Sequence, residues 1–215
     1  MNAGSTGETE DRSGESKRLR QDAEQNRLAI LTAAERTFAE RGTGVRLDEI
    51  AREAGVGVAT LYRRFPQRED LIEAVLGARM TAYADRSAVE AARSLTEPWE
   101  ALRSFVLYLL EQQATDRAFN DVLIAPLTGS TVFVDEHRRA LRSMTRLVER
   151  VKAAGVVRAD FEHSDLYLLM LSNAGLLRAA GTTAPDAWRR LGAYMLDGFR
   201  VKNAAPLPAV GGDWT

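Results

Sequence analysis

The stretch that decides the fold is LDEIAREAGVGVATLYRRF, which occupies residues 47–65. Apolar residues recur at helical spacing on both sides of Gly55, which predicts two short helices joined by a few residues. Gly55 can adopt the left-handed conformation that ends one helix and turns the chain. Ala51 is small enough for the second helix to pass close over it, and Leu61 fills the corner. Two helices that cross steeply in this way form a helix-turn-helix, which presents its second helix to the major groove of DNA.

The second helix of this pair is predicted to have an apolar inner face and a mostly polar outer face. The side chains expected to face outward are those of Val58, Ala59, Tyr62 and Arg63. The same segment carries Arg64 and Arg68 but no acidic residue, so the patch is locally positive. The hydroxyl groups of Thr60 and Tyr62 could contact phosphates or base edges. This combination indicates a DNA-reading surface.

The composition of the 215-residue chain limits the other classes of function. The absence of Cys excludes disulfides, thiolate nucleophiles and Cys-containing zinc sites. The 29 Lys and Arg residues nearly balance the 30 Asp and Glu residues, so a nucleic-acid surface must be a local patch. No apolar run approaches the roughly 20 residues that span a bilayer, and the polar N-terminus has no apolar signal-peptide region. We expect a cytoplasmic protein without a metal or a cofactor.

Helical spacing of apolar residues continues through most of the chain, which predicts an all-α protein. The first helix is expected over residues 23–41, with Gly42 ending it. After the helix-turn-helix, Pro66 ends the third helix, and a fourth begins near Gln67 and continues past residue 80. The remaining helices are expected at about residues 97–117, 118–125, 134–154, 164–180 and 186–201.

Three runs in the N-terminal part carry a family resemblance. They are ILTAAERTFAERG at residues 30–42, LDEIA at 47–51 and GVGVATLYRRFPQREDL at 55–71. Together they resemble the N-terminal domain of the TetR family of bacterial transcriptional regulators, without a gap over about residues 24–72. The resemblance implies a three-helix DNA-binding domain with a helix-turn-helix, followed by a larger helical ligand-binding and dimerisation domain.

The expected organisation therefore has four segments. Polar composition and Gly or Pro content predict a disordered tail over residues 1–22 and a flexible tail over 203–215. Between them we expect the DNA-binding domain over residues 23–70 and the ligand-binding and dimerisation domain over 71–202.

The resemblance also implies which residues contact DNA. Thr60 and Tyr62 match positions that commonly do so, Arg68 matches a basic position that usually grips phosphate, and Arg27 lies where another phosphate contact is common. The predicted DNA-binding residues are Arg27, Arg46, Val58, Ala59, Thr60, Tyr62, Arg63 and Arg68.

The chain departs from the family pattern in three places. Gly57 stands where Ser or Thr usually caps the recognition helix, so a weaker cap is expected. Arg46 stands where a hydroxyl residue is common, and it could replace a neutral phosphate contact with a charged one. Val58 and Ala59 stand where Lys-Gly is frequent. They could read thymine methyl groups or act as neutral spacers, and the residues do not decide between these alternatives.

Two helices near the C-terminus carry apolar stripes that could pair across a two-fold axis. The helix over 164–180 is apolar nearly all round, so it must be covered on more than one side. The predicted dimer interface consists of Leu168, Ser172, Gly175, Ala179, Trp188, Leu191, Met195 and Phe199. The alternative is that both stripes close the core of the single chain.

The same C-terminal region is expected to hold an effector pocket, for which large apolar residues with a few polar ones are candidates. They are Tyr83, Phe105, Tyr108, Leu109, Gln112, Phe119, Leu123, Met144, Met170 and Asn173. Plain core packing is the alternative for each of them. Asn173 is the leading polar candidate, because an amide in an apolar run needs a partner. We expect a mostly hydrophobic ligand.

The leading hypothesis is thus a homodimeric regulator that releases a near-palindromic operator when a small apolar molecule binds. A DNA-binding dimer without an effector is an alternative. A small all-α enzyme is disfavoured, because no catalytic or phosphate-binding pattern is present. His137 and His163, the only His residues, are expected at the solvated surface rather than at a metal site.

Overall fold

The computed structural model describes residues 7–124, 131–200 and 205–208. Within these ranges the secondary structure is helical and contains no strand, which confirms the all-α prediction. The helices are α1 (Gly7–Arg41), α2 (Leu47–Glu53), α3 (Val58–Arg64), α4 (Arg68–Arg93), α5 (Pro98–Thr115), α6 (Arg117–Ile124), α7 (Thr131–Ala153), α8 (His163–Ala180) and α9 (Ala187–Arg200). In this part of the chain, no helix is both long and apolar enough to cross a membrane.

The N-terminal helix differs from its predicted extent. α1 begins at Gly7 instead of near Ala23, so residues 7–22, expected within a disordered tail, are helical. The side chains at residues 17–22 are exposed, as their polar composition predicts. Extending an existing helix adds one backbone hydrogen bond per residue and needs no buried surface. Residues 1–6 of the predicted tail lie outside the described residues, as do 203–204 and 209–215 of the C-terminal one.

The chain divides into two compact units, Met1–Val75 and Leu76–Thr215. The division falls within α4, close to the predicted domain boundary after residue 70.

The first unit has its own apolar core, to which α1 to α3 and the start of α4 contribute. Its fully buried side chains are those of Ile30, Ala34, Phe38, Ile50, Ala51, Leu61 and Leu71. Two ion pairs join the surfaces of α1 and α2, namely Arg36–Glu53 at 2.7 Å and Arg41–Glu49. The hydrogen bond from Arg41 lowers the pKa of Glu49. Exposed pairs of this kind contribute about 0–1 kcal/mol each, so burial of the apolar face is the main stabilising term.

The second unit is built around α5. Pro98 at the first turn favours the helix start, because it lacks only an N–H that would have no intrahelical partner. Along the helix, Ala101, Leu102, Phe105, Val106, Leu109 and Leu110 are fully buried. α5 packs against α6, α7, α8 and α9. α9 lies so close that a Cβ added at Gly192 would come within 2.6 Å of the Leu110 side chain. This glycine therefore serves packing within the single chain.

Candidate nucleic-acid interface

The corner between α2 and α3 has the geometry that its sequence predicts. Gly55 has a φ of 67°, in the left-handed region. Its N–H donates to the Arg52 carbonyl at 3.1 Å, and the Val56 N–H donates to the Ala51 carbonyl at 3.0 Å. These two bonds form a Schellman motif, which ends α2 and redirects the chain. A Cβ at Gly55 would meet no atom within 4 Å, so the glycine is required by backbone conformation and not by space.

α3 has the inward and outward faces predicted for it. Leu61 and Phe65 are buried. Tyr62 is 44% exposed and Val58 42%, and Ala59 and Arg63 are exposed as well. Thr60 is half-buried. The helix therefore presents an aromatic hydroxyl, a guanidinium group and two small apolar side chains to a partner.

The start of α3 carries the weak cap that Gly57 implies. No side chain caps this end, and the Thr60 N–H donates to the Gly57 carbonyl at 2.9 Å.

A groove of about 230 Å³ lies between α1 and α3. It is lined by Ala23, Asn26, Arg27, Ile30, Thr60, Arg63 and Arg64. Arg64 Nη2 donates to the Ala23 carbonyl at 3.0 Å and so ties the two helices together. Arg27 lies 3.7 Å from Glu24, a distance at which the ion pair is weak. The fold thus brings Arg27 beside Arg63, as a common phosphate-facing surface requires.

Two polar residues of this groove, Asn26 and Arg64, were not predicted as DNA contacts. Arg64 was recognised only as part of the positive patch, because its partner, the Ala23 carbonyl, lies 41 residues earlier in the chain. Asn26 lies one position before Arg27 on α1, and only the packing of α3 shows that both face the groove.

Two further arginines predicted to contact phosphate have different surroundings. The Arg46 side chain is 75% exposed and pairs with Asp48 at 3.0 Å. Arg68 is half-buried, and its Nη1 donates to the carbonyls of Thr43 at 2.8 Å and Val45 at 2.6 Å. Arg68 therefore holds the loop that leads into α2. Its contact with phosphate stays a prediction, for which Nη2 and Nε are the remaining donors.

In the second unit, several residues predicted to line a pocket instead pack against one another. The Tyr83 ring lies 6.3 Å from that of Phe105 and 6.0 Å from that of Phe119. The Tyr83 hydroxyl donates to Met144 Sδ at 3.2 Å. All four side chains are buried, and burial raises the pKa of Tyr83. These four side chains pack into one buried cluster of the second unit, and their role as pocket residues stays a prediction.

The other six predicted pocket residues are divided between buried and half-buried positions. Leu109, Leu123, Met170 and Asn173 are buried, whereas Tyr108 and Gln112 are half-buried.

Asn173 has a hydrogen-bond partner that was not among the predicted pocket residues. Its Nδ2 donates to Gln113 Oε1 at 2.9 Å. The Nε2 of Gln113 in turn donates to Asn120 Oδ1 at 2.7 Å and to the Met170 carbonyl at 3.2 Å. Gln112, one position earlier, was predicted as a pocket residue, and no partner was predicted for Asn173. Because adjacent helical residues point about 100° apart, that step separates the half-buried Gln112 from the buried Gln113.

Two other spaces are present in the second unit. A cavity of about 220 Å³ is lined by Met80, Val122, Phe133, Val134, His137, Arg138 and Leu141. A larger groove of about 670 Å³ runs along α8 and α9, where Leu168, Met195 and Gly198 meet the acidic side chains of Asp160 and Asp165. None of the ten residues predicted for the pocket appears in the lining of either space.

The two histidines are half-buried, in contrast to the predicted solvated surface positions. Burial lowers the pKa of both, and for His137 the neighbouring His163 lowers it further. His163 Nε2 is buried without a hydrogen-bond partner among the described residues. No group of three or more His, Cys, Asp or Glu side chains in those residues could hold a metal ion.

The residues predicted for the dimer interface fall into two groups. Trp188 and Phe199 are 5% and 6% exposed in the single chain, and the Phe199 ring lies 4.7 Å from that of Phe161. These two aromatic side chains pack into the core of the protomer, and their contact with a second chain stays a prediction. The others reach the surface: Leu168, Leu191 and Met195 are half-buried, and Ser172, Gly175 and Ala179 are exposed.

Two protein-family profiles match the chain. One is described as bacterial regulatory proteins of the tetR family and matches residues 30–75. The other is described as the C-terminal domain of SbtR-like transcriptional regulators and matches residues 97–201. Together they cover more than half of the chain.

The chain is also similar to individual known proteins. A curated HTH-type transcriptional regulator from Staphylococcus aureus is 41% identical over 54 residues, which are 25% of this chain and only 29% of that protein. A TetR transcription regulatory protein from Mycobacterium vanbaalenii is 32% identical over 85% of this chain and 99% of its own, with a TM-score of 0.47. A TetR-family regulator from Agrobacterium tumefaciens is 18% identical over 83% of this chain and 100% of its own, with a TM-score of 0.53. The last similarity concerns the fold alone.

Proposed function

The chain belongs to the TetR family of bacterial regulatory proteins, and we propose that it regulates transcription in the cytoplasm as a DNA-binding homodimer. The observation that carries the proposal is the outward face of α3, where Tyr62 and Arg63 stand exposed and Arg63 lines the same groove as Arg27 of α1. In this proposal each protomer inserts α3 into the major groove at one half of a near-palindromic operator.

The proposed contacts divide into two classes. Arg27 and Arg46 hold phosphates, because their side chains are 40% and 75% exposed and their own ion pairs are weak. Thr60, Tyr62 and Arg63 reach base edges or neighbouring phosphates from α3. Val58 and Ala59 place small apolar groups where a thymine methyl would lie.

We further propose that the protein is a repressor whose operator affinity falls when a small, mostly apolar molecule binds the second unit. Such a response requires that the ligand bind the DNA-competent and DNA-incompetent states with different affinities. The cavity of about 220 Å³ in the second unit is the feature that supports an effector. Dimerisation through the exposed parts of α8 and α9 supplies the two-fold symmetry of the operator.

A DNA-binding dimer without an effector is the second candidate. The observation in its favour is the packed cluster around Tyr83, which fills the region where the sequence analysis expected a ligand.

Operator selection followed by substitution of Tyr62 tests the proposal. Genomic fragments bound by the full chain should share a near-palindromic site, and fluorescence anisotropy on that site should show tight binding. Tyr62→Ala should abolish this binding while leaving thermal unfolding and the dimer unchanged, because the side chain is exposed. Tyr62→Phe removes only the hydroxyl group, so it distinguishes the contribution of the hydroxyl to operator affinity from that of the ring. Wild-type affinity in Tyr62→Ala would remove this residue from the contacts, and unselective binding by the wild-type chain would refute the proposed regulator.

A further inference from the structure

We propose that the cavity between α4, α6 and α7 binds a small carboxylate with an apolar body, and that this class of molecule is the effector. The inference rests on the proposed function, and it adds the place and the chemistry of the ligand.

The interior of the cavity is apolar. Met80 from α4, Val122 from α6 and Phe133 from α7 are each at most 3% exposed, and Val134 and Leu141 continue the lining along α7. At about 220 Å³ the space is smaller than the 300–1,000 Å³ typical of drug-sized ligands, so it suits a body of roughly ten non-hydrogen atoms. An aromatic ring or a short branched chain has this size.

The polar part of the lining consists of two consecutive residues of α7, His137 and Arg138. Burial lowers the pKa of His137, so near neutral pH its imidazole can form a hydrogen bond without carrying a charge. Among the described residues of the lining, Arg138 is then the one charged side chain, and its planar guanidinium group matches a carboxylate. Its side chain is 59% exposed, which places the charge at the solvent side of an apolar space. A molecule with an apolar body and an anionic end is complementary to this arrangement.

Arg138 already has a carboxylate neighbour on its own helix. Its Nη1 lies 2.8 Å from Asp135 Oδ1, in a pair whose side chains are 59% and 72% exposed. An exposed pair three residues apart is weak, because water screens both charges. A ligand carboxylate held over the apolar cavity is less screened and can replace Asp135. Asp135 therefore acts as an internal competitor that sets the affinity for the anion.

Two probes with the same body and different charge test the chemistry. They are 3-phenylpropanoate and its neutral amide, 3-phenylpropanamide, titrated calorimetrically into the full chain. The wild-type chain should bind the carboxylate more tightly. Arg138→Gln should weaken carboxylate binding roughly five- to tenfold and leave amide binding unchanged, whereas Asp135→Asn should strengthen carboxylate binding about two- to fivefold. Arg142→Gln is the matched control, since Arg142 is exposed on the same helix outside the cavity lining, and it should change neither affinity.

A second variant tests the place. Val134 is 37% exposed at the edge of the cavity, so Val134→Trp should cover the space without disturbing the core. Both probes should lose measurable binding while the thermal unfolding temperature remains that of the wild type. Unchanged probe binding in this folded variant would overturn the location, and equal affinity of the wild type for both probes would overturn the carboxylate preference.

Operator affinity separates this inference from the function on which it rests. All these variants should bind the operator like the wild type when no probe is present, and the carboxylate should weaken operator binding only where the cavity is intact. A chain that binds its operator selectively but binds neither probe refutes the carboxylate effector and leaves the regulator in place. A chain that selects no operator refutes the regulator, whatever the probes do. Carboxylate binding that leaves operator affinity unchanged refutes the effector role.

Discussion

In the first unit the proposed DNA surface is a set of side chains that packing leaves outside, whereas in the second unit the proposed effector site is a space that packing leaves unfilled. Tyr62 on α3 is 44% exposed, while Met80 in the cavity lining is 1% exposed. The first kind of site depends on charge and on the backbone conformation of one corner. The second depends on the volumes of side chains from several helices. The two units should therefore respond to different perturbations.

Salt concentration should produce the largest difference between operator binding by the first unit and probe binding by the second. If Arg27, Arg46 and Arg68 each neutralise one phosphate, a dimer neutralises about six, and the log–log salt slope of operator binding is near −5. Doubling the salt concentration should then weaken operator binding about thirtyfold. Binding of 3-phenylpropanoate involves one ion pair and should change far less. Anisotropy and calorimetry over the same salt series compare the two slopes.

Single substitutions show which arginines produce that slope. Arg46→Gln should reduce it by roughly two, because each dimer loses two phosphate contacts. Arg68→Gln should also release the loop carbonyls of Thr43 and Val45, so its effect on affinity should persist at high salt. Operator binding that hardly responds to salt would contradict the contact scheme as a whole.

Backbone conformation should have the next largest effect, and only in the first unit. Gly55→Ala places a Cβ in the left-handed region and should cost about 1–2 kcal/mol of stability there. Gly44→Ala is the matched control, since that glycine also has open space around its Cβ position but no left-handed φ. It should be neutral or stabilise the protein by about 0.4–1 kcal/mol, because the unfolded chain loses freedom. Hydrogen exchange of the α2 and α3 amides measures both changes, and equal effects would contradict the proposed role of Gly55.

Proton binding should produce a smaller effect that is confined to the second unit. His137 and His163 both have a pKa lowered from 6.5 by burial, so the unfolded chain binds protons more readily than the folded one. Their contribution to stability is complete above about pH 6.5 and is lost as the pH falls below it. The first unit contains no His, and all three Trp residues lie in the second, so denaturant unfolding followed by Trp fluorescence reports the relevant unit. His137→Gln and His163→Gln should flatten this pH dependence. If the pH dependence of stability is unchanged in the variant that carries both substitutions, it arises from other titratable groups.

Much of the first unit could be predicted because its signals are local. The αL glycine, the inward Leu61 and the outward Tyr62 all lie within one short corner, where helical periodicity and backbone sterics decide the orientation. Arg68 shows the limit of such reasoning. Its basic side chain at the start of α4 suggested phosphate binding, and only the fold reveals that it donates to carbonyls 23 and 25 residues earlier.

The second unit was predictable in its helices but not in its interior. The helix ends agree with the apolar periodicity to within a few residues. Large apolar residues such as Tyr83 and Phe105 occur both in cavity linings and in packed cores. The sequence therefore could not distinguish a pocket residue from a core residue. Trp188 and Phe199 pose the same problem. An apolar stripe on a helix can pack against the same chain or against a second chain, and the sequence does not show which.

The amino-acid sequence by itself determined the helices other than residues 7–22 of α1, the corner at Gly55 and the family, because periodicity, a glycine conformation and a contiguous motif are properties of neighbouring residues. The tertiary structure alone decided that Asn173 pairs with Gln113, that Arg64 ties α3 to Ala23, and where space remains beside Arg138. The physical reason is that these outcomes depend on how side chains distant in the chain fill a common volume, and no local pattern encodes what remains unfilled.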